Sequence, residues 1–157
     1  MTLDEHKKNL GGLVVNFQAL EFILRAFLQG LPTARPIGIP PGIDIYSFPV
    51  GTELPENEMT GYDSLDQLIY KFNSVMKKRG LCEIDRTLVE VRDALAHGRV
   101  SAASVDATLR LLKLDKPVNG WVRVVFNEKL TASWFATQRK RVLEAIEFVA
   151  NAERSGT

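Results

Sequence analysis

Leu10, Leu13, Val14, Phe17, Leu20, Leu24, Phe27, Leu28 and Leu31 recur at the three- and four-residue intervals of one helix face. Thr2 and Glu5 stand at capping-box spacing ahead of them. Together they predict one long amphipathic helix. Gly11 and Gly12 weaken its first turns, so the firm helix is expected to begin after them. A second helix is predicted from Asp63 or Ser64 to Arg79, capped by Ser64 and Gln67, with Leu65, Leu68, Ile69, Phe72 and Met76 inward. A tight turn at Gly80 leads to a third helix, Glu83 to His97, which should lie antiparallel to the second. Ile84, Leu88, Val91 and Leu95 form its buried stripe; Arg86, Glu90, Asp93 and His97 make a polar line on the other side.

The pattern then changes period. "ATLRLLKL" and "WVRVVF", separated by the turn chemistry of "DKPVNG", predict a β-hairpin over 108–126. A last helix starts near Thr131, runs through Phe135, Val142, Ile146 and Val149, and frays in "NAERSGT". Residues 31–61 hold six of the seven prolines and exclude helix, leaving room for a short strand in "GIDIYSF". So long a connection is either a functional loop or an irregular wrap. The expected fold is mainly α: an antiparallel bundle of four helices with a small hairpin inserted before the last.

A length of 157 residues fits one domain with a real core, and a net charge of +1 gives no strong bulk field. Any nucleic-acid contact must therefore come from a local basic patch. The single cysteine, Cys82, excludes an intrachain disulfide and fits a reducing, cytoplasmic setting. No apolar run is expected to reach membrane-spanning length, and the N-terminus lacks the pattern of a signal peptide.

His6, His97 and Cys82 cannot supply a spaced zinc set, no glycine-rich phosphate loop follows a strand, and no serine sits at a nucleophile elbow. No metal or cofactor is expected. Glu53, Glu56 and Glu58 read as solvated charge. Lys77, Lys78 and Arg79 read first as compensation of the helix dipole. With Arg86 and Arg99 they also furnish candidate RNA contacts.

"VEVRDALAHGRV", residues 89–100, carries the chemistry. His97 occupies the last helical turn, with Gly98 suited to a left-handed cap. Histidine as a residue type suits a general acid or base near neutral pH. Asp93, four residues earlier, is placed to orient His97, and Arg92 offers a permanently charged fork for phosphate oxygens. A helix-terminal histidine bonded to exposed carbonyls is the plainer alternative. Arginine and histidine without a metal set point to a phosphodiester carrying its own nucleophile, the RNA 2′-hydroxyl.

Arg92, Asp93, His97 and Gly98 in "RDALAHG" resemble the R-x-x-x-x-H signature of the HEPN superfamily (higher eukaryotes and prokaryotes nucleotide-binding). The upstream "FQALEFILR" and the downstream hairpin followed by "LTASWF" extend the resemblance over most of residues 10–150 of a single HEPN-like domain spanning 1–157. Residues 31–61 are not part of the common pattern. The resemblance implies a metal-independent endoribonuclease, often a toxin inhibited by a nucleotidyltransferase-like antitoxin, working as a homodimer with a composite site. Helical geometry agrees with the dimer, since Arg92 and His97 point roughly 140° apart on one helix. In the mechanism this implies, one His97 is the base, the His97 of the other protomer the acid, Arg92 stabilises the phosphorane and Asp93 orients the imidazole. A catalytically silent dimer that binds RNA, a nucleotide or a protein partner is the alternative.

Overall fold

A computed structural model describes residues 1–39, 42–43, 47–102 and 108–154. The fold is mainly α. Among the described residues the order is α1 (Leu3–Gln29), α2 (Leu65–Lys78), α3 (Thr87–His97), β1 (Arg99–Ser101), β2 (Arg110–Leu114), β3 (Val124–Lys129) and α4 (Ala132–Arg154). Contacts cluster into two compact units, Met1–Leu20 with Ile84–Phe148 and Glu21–Glu83 with Val149–Thr157. The strand allowed in "GIDIYSF" falls partly outside the described residues, as do the last three residues of "NAERSGT"; its first four, expected to fray, continue α4 to Arg154.

The capping box that opens α1 is formed. Thr2 N donates to Glu5 Oε2 at 2.7 Å and Glu5 N to Thr2 Oγ1 at 3.2 Å. Those bonds hold the Glu5 carboxyl below the usual carboxylate range. The helix then runs unbroken through Gly11 and Gly12, against the expectation that it would start after them. Both glycines are exposed, and nothing lies within 4 Å of where a Cβ would stand. They serve no close approach. Gly12→Ala should therefore stabilise the protein by about 1 kcal/mol, read as a higher urea midpoint.

The expectation that no apolar run reaches membrane-spanning length needs correction: by length and composition α1 is long and apolar enough to cross a bilayer. Its Leu13, Phe17, Leu20, Leu24, Phe27 and Leu28 are nevertheless buried inside the protein, which is compatible with a soluble chain.

In the first unit, Leu13, Phe17 and Leu20 of α1 are buried, as are Ile84, Leu88, Val91 and Ala94 at α3 and Phe135, Val142 and Ala145 of α4. α3 starts at Thr87, later than expected; Arg86 at the cap position makes no side-chain cap bond, and Asp85 just before it binds the first helical residue instead. Its carboxylate accepts from Thr87 N at 2.9 Å, Thr87 Oγ1 at 2.7 Å and Arg141 Nη2 at 2.8 Å. The Thr87 bonds, then Arg141, hold the Asp85 carboxyl below its ordinary value. A carboxylate depressed by folding contributes stability above its unfolded pKa and loses it as the pH falls through the folded one. α4 begins where expected, with Trp134 N donating to Thr131 Oγ1 at 3.1 Å.

Between α3 and α4 stands a three-stranded antiparallel sheet in the order β1-β2-β3. Two of its strands are the expected hairpin, though β3 extends to Lys129. Asn119 (φ 52°) and Gly120 (φ 80°) make the tight turn at its tip, closed by Val118 N to Trp121 O at 2.8 Å. The third strand, β1, was not expected.

In the second unit, Leu65, Leu68, Ile69, Phe72 and Met76 are buried on α2 as the spacing predicts. Both arms of the Ser64–Gln67 capping box form, and Gly80 (φ 68°) ends the helix. Phe27 meets Phe72 edge-on at 4.8 Å, with Arg79 stacked 5.7 Å from the Phe27 ring centre.

The described residues of the proline-rich segment form no α-helix or strand, and its end is fixed by polar side chains. Arg25 donates to Glu58 O, Gly61 O and Asp63 O at 3.3, 2.8 and 2.7 Å. Asn57 is fully buried. Its Oδ1 accepts from Met59 N at 2.8 Å and Thr60 N at 3.1 Å, while Nδ2 donates to Ile37 O at 3.0 Å. Two of the acids read as solvated are in fact paired: Glu58 with Lys71 at 3.2 Å and Glu56 with Arg35 at 3.1 Å. Asn57→Ala strands two buried amides and a carbonyl. Thermal unfolding should show a loss of about 2 kcal/mol.

Candidate active site at the end of α3

α3 presents its polar line as expected: Arg86, Glu90 and His97 are exposed and Asp93 half-buried, while Leu88, Val91 and Ala94 face inward. Leu95, expected in the buried stripe, is only half-buried; Ala94 takes the core position. His97 is the final helical residue, from which the chain passes through Gly98 directly into β1. The histidine is thus held at a helix-to-strand junction with its ring toward solvent.

Gly98 is extended (φ −79°, ψ 173°), not left-handed. The cap is instead its N–H, which donates to Ala94 O at 2.7 Å. Glycine is needed here for space. A Cβ would stand 2.3 Å from Ala94 O, 2.7 Å from Leu111 Cδ1 and 3.1 Å from Leu112 O. β2 therefore passes directly behind the helix end, and the missing side chain at 98 lets it do so.

That close pass brings in a residue overlooked in the sequence. Lys113 of β2 puts Nζ 3.5 Å from Asp93 Oδ2, and Arg92 Nη1 lies 3.5 Å from Asp93 Oδ1. One carboxylate thus sits between two cations, all three side chains a quarter to two-fifths exposed. The expectation that Asp93 orients His97 is not met in this geometry. Asp93 is bonded to Arg92 and Lys113, and the His97 ring makes no hydrogen bond among the described residues. The reason is geometric: each Asp93 oxygen already faces a cation, Oδ1 that of Arg92 and Oδ2 that of Lys113. A sequence signal for Lys113 did exist, as the one charge two residues from Leu111 on the strand face that turns toward α3.

The cluster lies at the helix that ends in the exposed His97. It can bind an anionic oxygen while the histidine moves a proton. Arg86 lies at the opposite end of α3, about 16 Å along the helix axis from His97. Arg99 follows His97 by two residues and is exposed. Lys77, Lys78 and Arg79 belong to the other compact unit, where the lysines occupy the last turn of α2 and Arg79 packs on Phe27. Among the described residues no group of three His, Cys, Asp or Glu side chains could hold a metal ion.

No protein-family model, curated protein or solved structure matches this chain.

Proposed function

We propose that the protein is a metal-independent endoribonuclease of HEPN type, acting as a homodimer on RNA in the cytoplasm. The observation that carries this reading is the Arg92–Asp93–Lys113 cation cluster on the helix that ends in an unencumbered His97. In the proposed reaction His97 of one protomer takes the 2′-hydroxyl proton. The 2′-oxygen attacks phosphorus, the bond to the 5′-oxygen breaks, and the partner's His97 gives that oxygen its proton. Arg92 and Lys113 offset charge on the phosphorane. Asp93 braces the two cations, a change from the orienting role that the sequence alone implies.

Arg92 and His97 diverge on their helix, so a two-fold axis near the polar line is what converges two of each on one phosphate. Packing of the four helices as an antiparallel bundle belongs to the same proposal. So does a place as the toxin of a toxin–antitoxin pair with a nucleotidyltransferase-like inhibitor. The second reading, a silent RNA- or partner-binding dimer, is favoured by one observation: no described residue braces the His97 ring by a hydrogen bond.

The test is the chemistry of the cut. Products should carry cyclic 2′,3′-phosphate and 5′-hydroxyl ends, and a substrate with 2′-deoxyribose at the cut nucleotide should survive. Cleavage of that deoxy substrate would overturn the mechanism. RNA bound but never cut would establish the silent dimer.

A further inference from the structure

The sheet has a chemically one-sided outer face. Leu111 is 1% exposed and Lys113 reaches Asp93, so that face of β2 turns toward α3. Residues of the other parity turn outward. The register sets Ser101, Arg110 and Lys129 in one cross-strand row and Arg99, Leu112 and Asn127 in the next. Neighbouring strands lie about 4.8 Å apart, so Arg99, Arg110 and Lys129 fall within a patch about 10 Å across. Among the described residues no carboxylate shares that face. Residues 99–101 and 108–129 carry six basic side chains against two acids, although the whole chain is nearly neutral.

Arg110 and Lys129 are direct cross-strand partners, an arrangement of like charges that disfavours the sheet. Among the described residues Arg110 is met by a neutral acceptor, Asn127 Oδ1, at 3.0 Å from Nε and 2.8 Å from Nη2. At the hairpin tip Trp121 is 81% exposed, a bare indole on a tight turn. Clustered cations on an open strand face make the charged track of a single-strand nucleic-acid platform, and Trp121, about 25 Å farther along the hairpin, adds a stacking aromatic. Arg99 brings the patch to the β1 edge of the sheet, two residues from His97, while Lys113 lies on the opposite face.

We propose that this outer sheet face, with Arg99, Arg110 and Lys129 at its base and Trp121 about 25 Å away at the hairpin tip, binds the phosphate backbone of single-stranded RNA and leads it to His97. The proposal rests on the ribonuclease reading for its choice of RNA. The sheet face binds phosphates, Trp121 stacks on a base, and the Arg92–Lys113 cluster engages the phosphate at the histidine.

The test uses an unstructured fluorescent RNA of about 20 nucleotides, long enough to span a single-strand site, and the full-length His97→Ala chain, which keeps the probe intact. Anisotropy is followed across a salt series. On that background Arg99→Gln with Lys129→Gln should weaken binding at least about tenfold, while Arg110 stays to brace Asn127. The slope of log affinity against log salt should flatten by about 1.4. Trp121→Ala should cost roughly tenfold by itself. Lys8→Gln, at an exposed lysine of α1, should change neither quantity.

Unaltered binding in the sheet variant, or no RNA binding at all, overturns the platform. If the wild-type chain cuts RNA through His97 and the sheet variant still binds as well as its parent, the platform alone falls. If wild type never cuts but binding depends on Arg99 and Lys129, the platform stands and the nuclease reading falls.

Discussion

His97→Ala should reduce the proposed RNA cleavage at least about a thousandfold and leave the fold intact. The imidazole is exposed and makes no hydrogen bond among the described residues, so its loss opens no cavity and strands no partner. The structural cost is the loss of a side chain from the last turn of α3, under about 1 kcal/mol from the helix dipole. In the proposed dimer one substitution deletes both base and acid, which is why the kinetic effect is so much larger than the thermal one. Circular dichroism and the melting temperature check the fold, and single-turnover cleavage reads the loss. A variant that still cuts within about tenfold of wild type would remove His97 from the reaction.

Gly98→Ala destabilises the first unit by about 3 kcal/mol, a large penalty for one methyl group. The backbone at 98 is extended and open to any residue, so none of the cost is conformational. It comes from space. The new Cβ meets the Ala94 carbonyl at 2.3 Å and Leu111 at 2.7 Å, and two of the three nearest atoms are backbone that cannot rotate away. Relief requires the backbone at 98 to swing away from the Ala94 carbonyl and β2 to move off the end of α3, which also separates Lys113 from Asp93. Urea unfolding reads the stability. Cleavage by the surviving folded fraction should fall as well, because the cation cluster is drawn apart. A Gly98→Ala variant as stable as wild type would show that the close pass is not needed.

The helices were legible because their signals are local and redundant. Ser64 with Gln67, Thr2 with Glu5 and Thr131 all cap as the sequence implies, and the apolar spacing of α2 gives its buried face residue by residue. β1 was not legible. Three exposed residues carry no alternation against an interior, and the strand exists only because Leu111 and its neighbours lie opposite. Gly11 and Gly12 misled for a related reason: a helix of 27 residues, buried along one side, tolerates two poor positions that a short one would not.

At the candidate site, sequence spacing placed Arg92, Asp93 and His97 on one helix but could not tell which partner Asp93 would take. That choice was made by Lys113, far along the chain and brought near by the antiparallel return of β2. The outer sheet face was hidden likewise, because Arg99, Arg110 and Lys129 become neighbours only through register.

Cleavage of total RNA by the purified chain, run in excess EDTA and again in magnesium, tests the proposed chemistry most directly. A proton-transfer site built from His97, Arg92 and Lys113 predicts the same cutting in both buffers. No cleavage in either buffer, or cleavage that EDTA abolishes and magnesium restores, would contradict it.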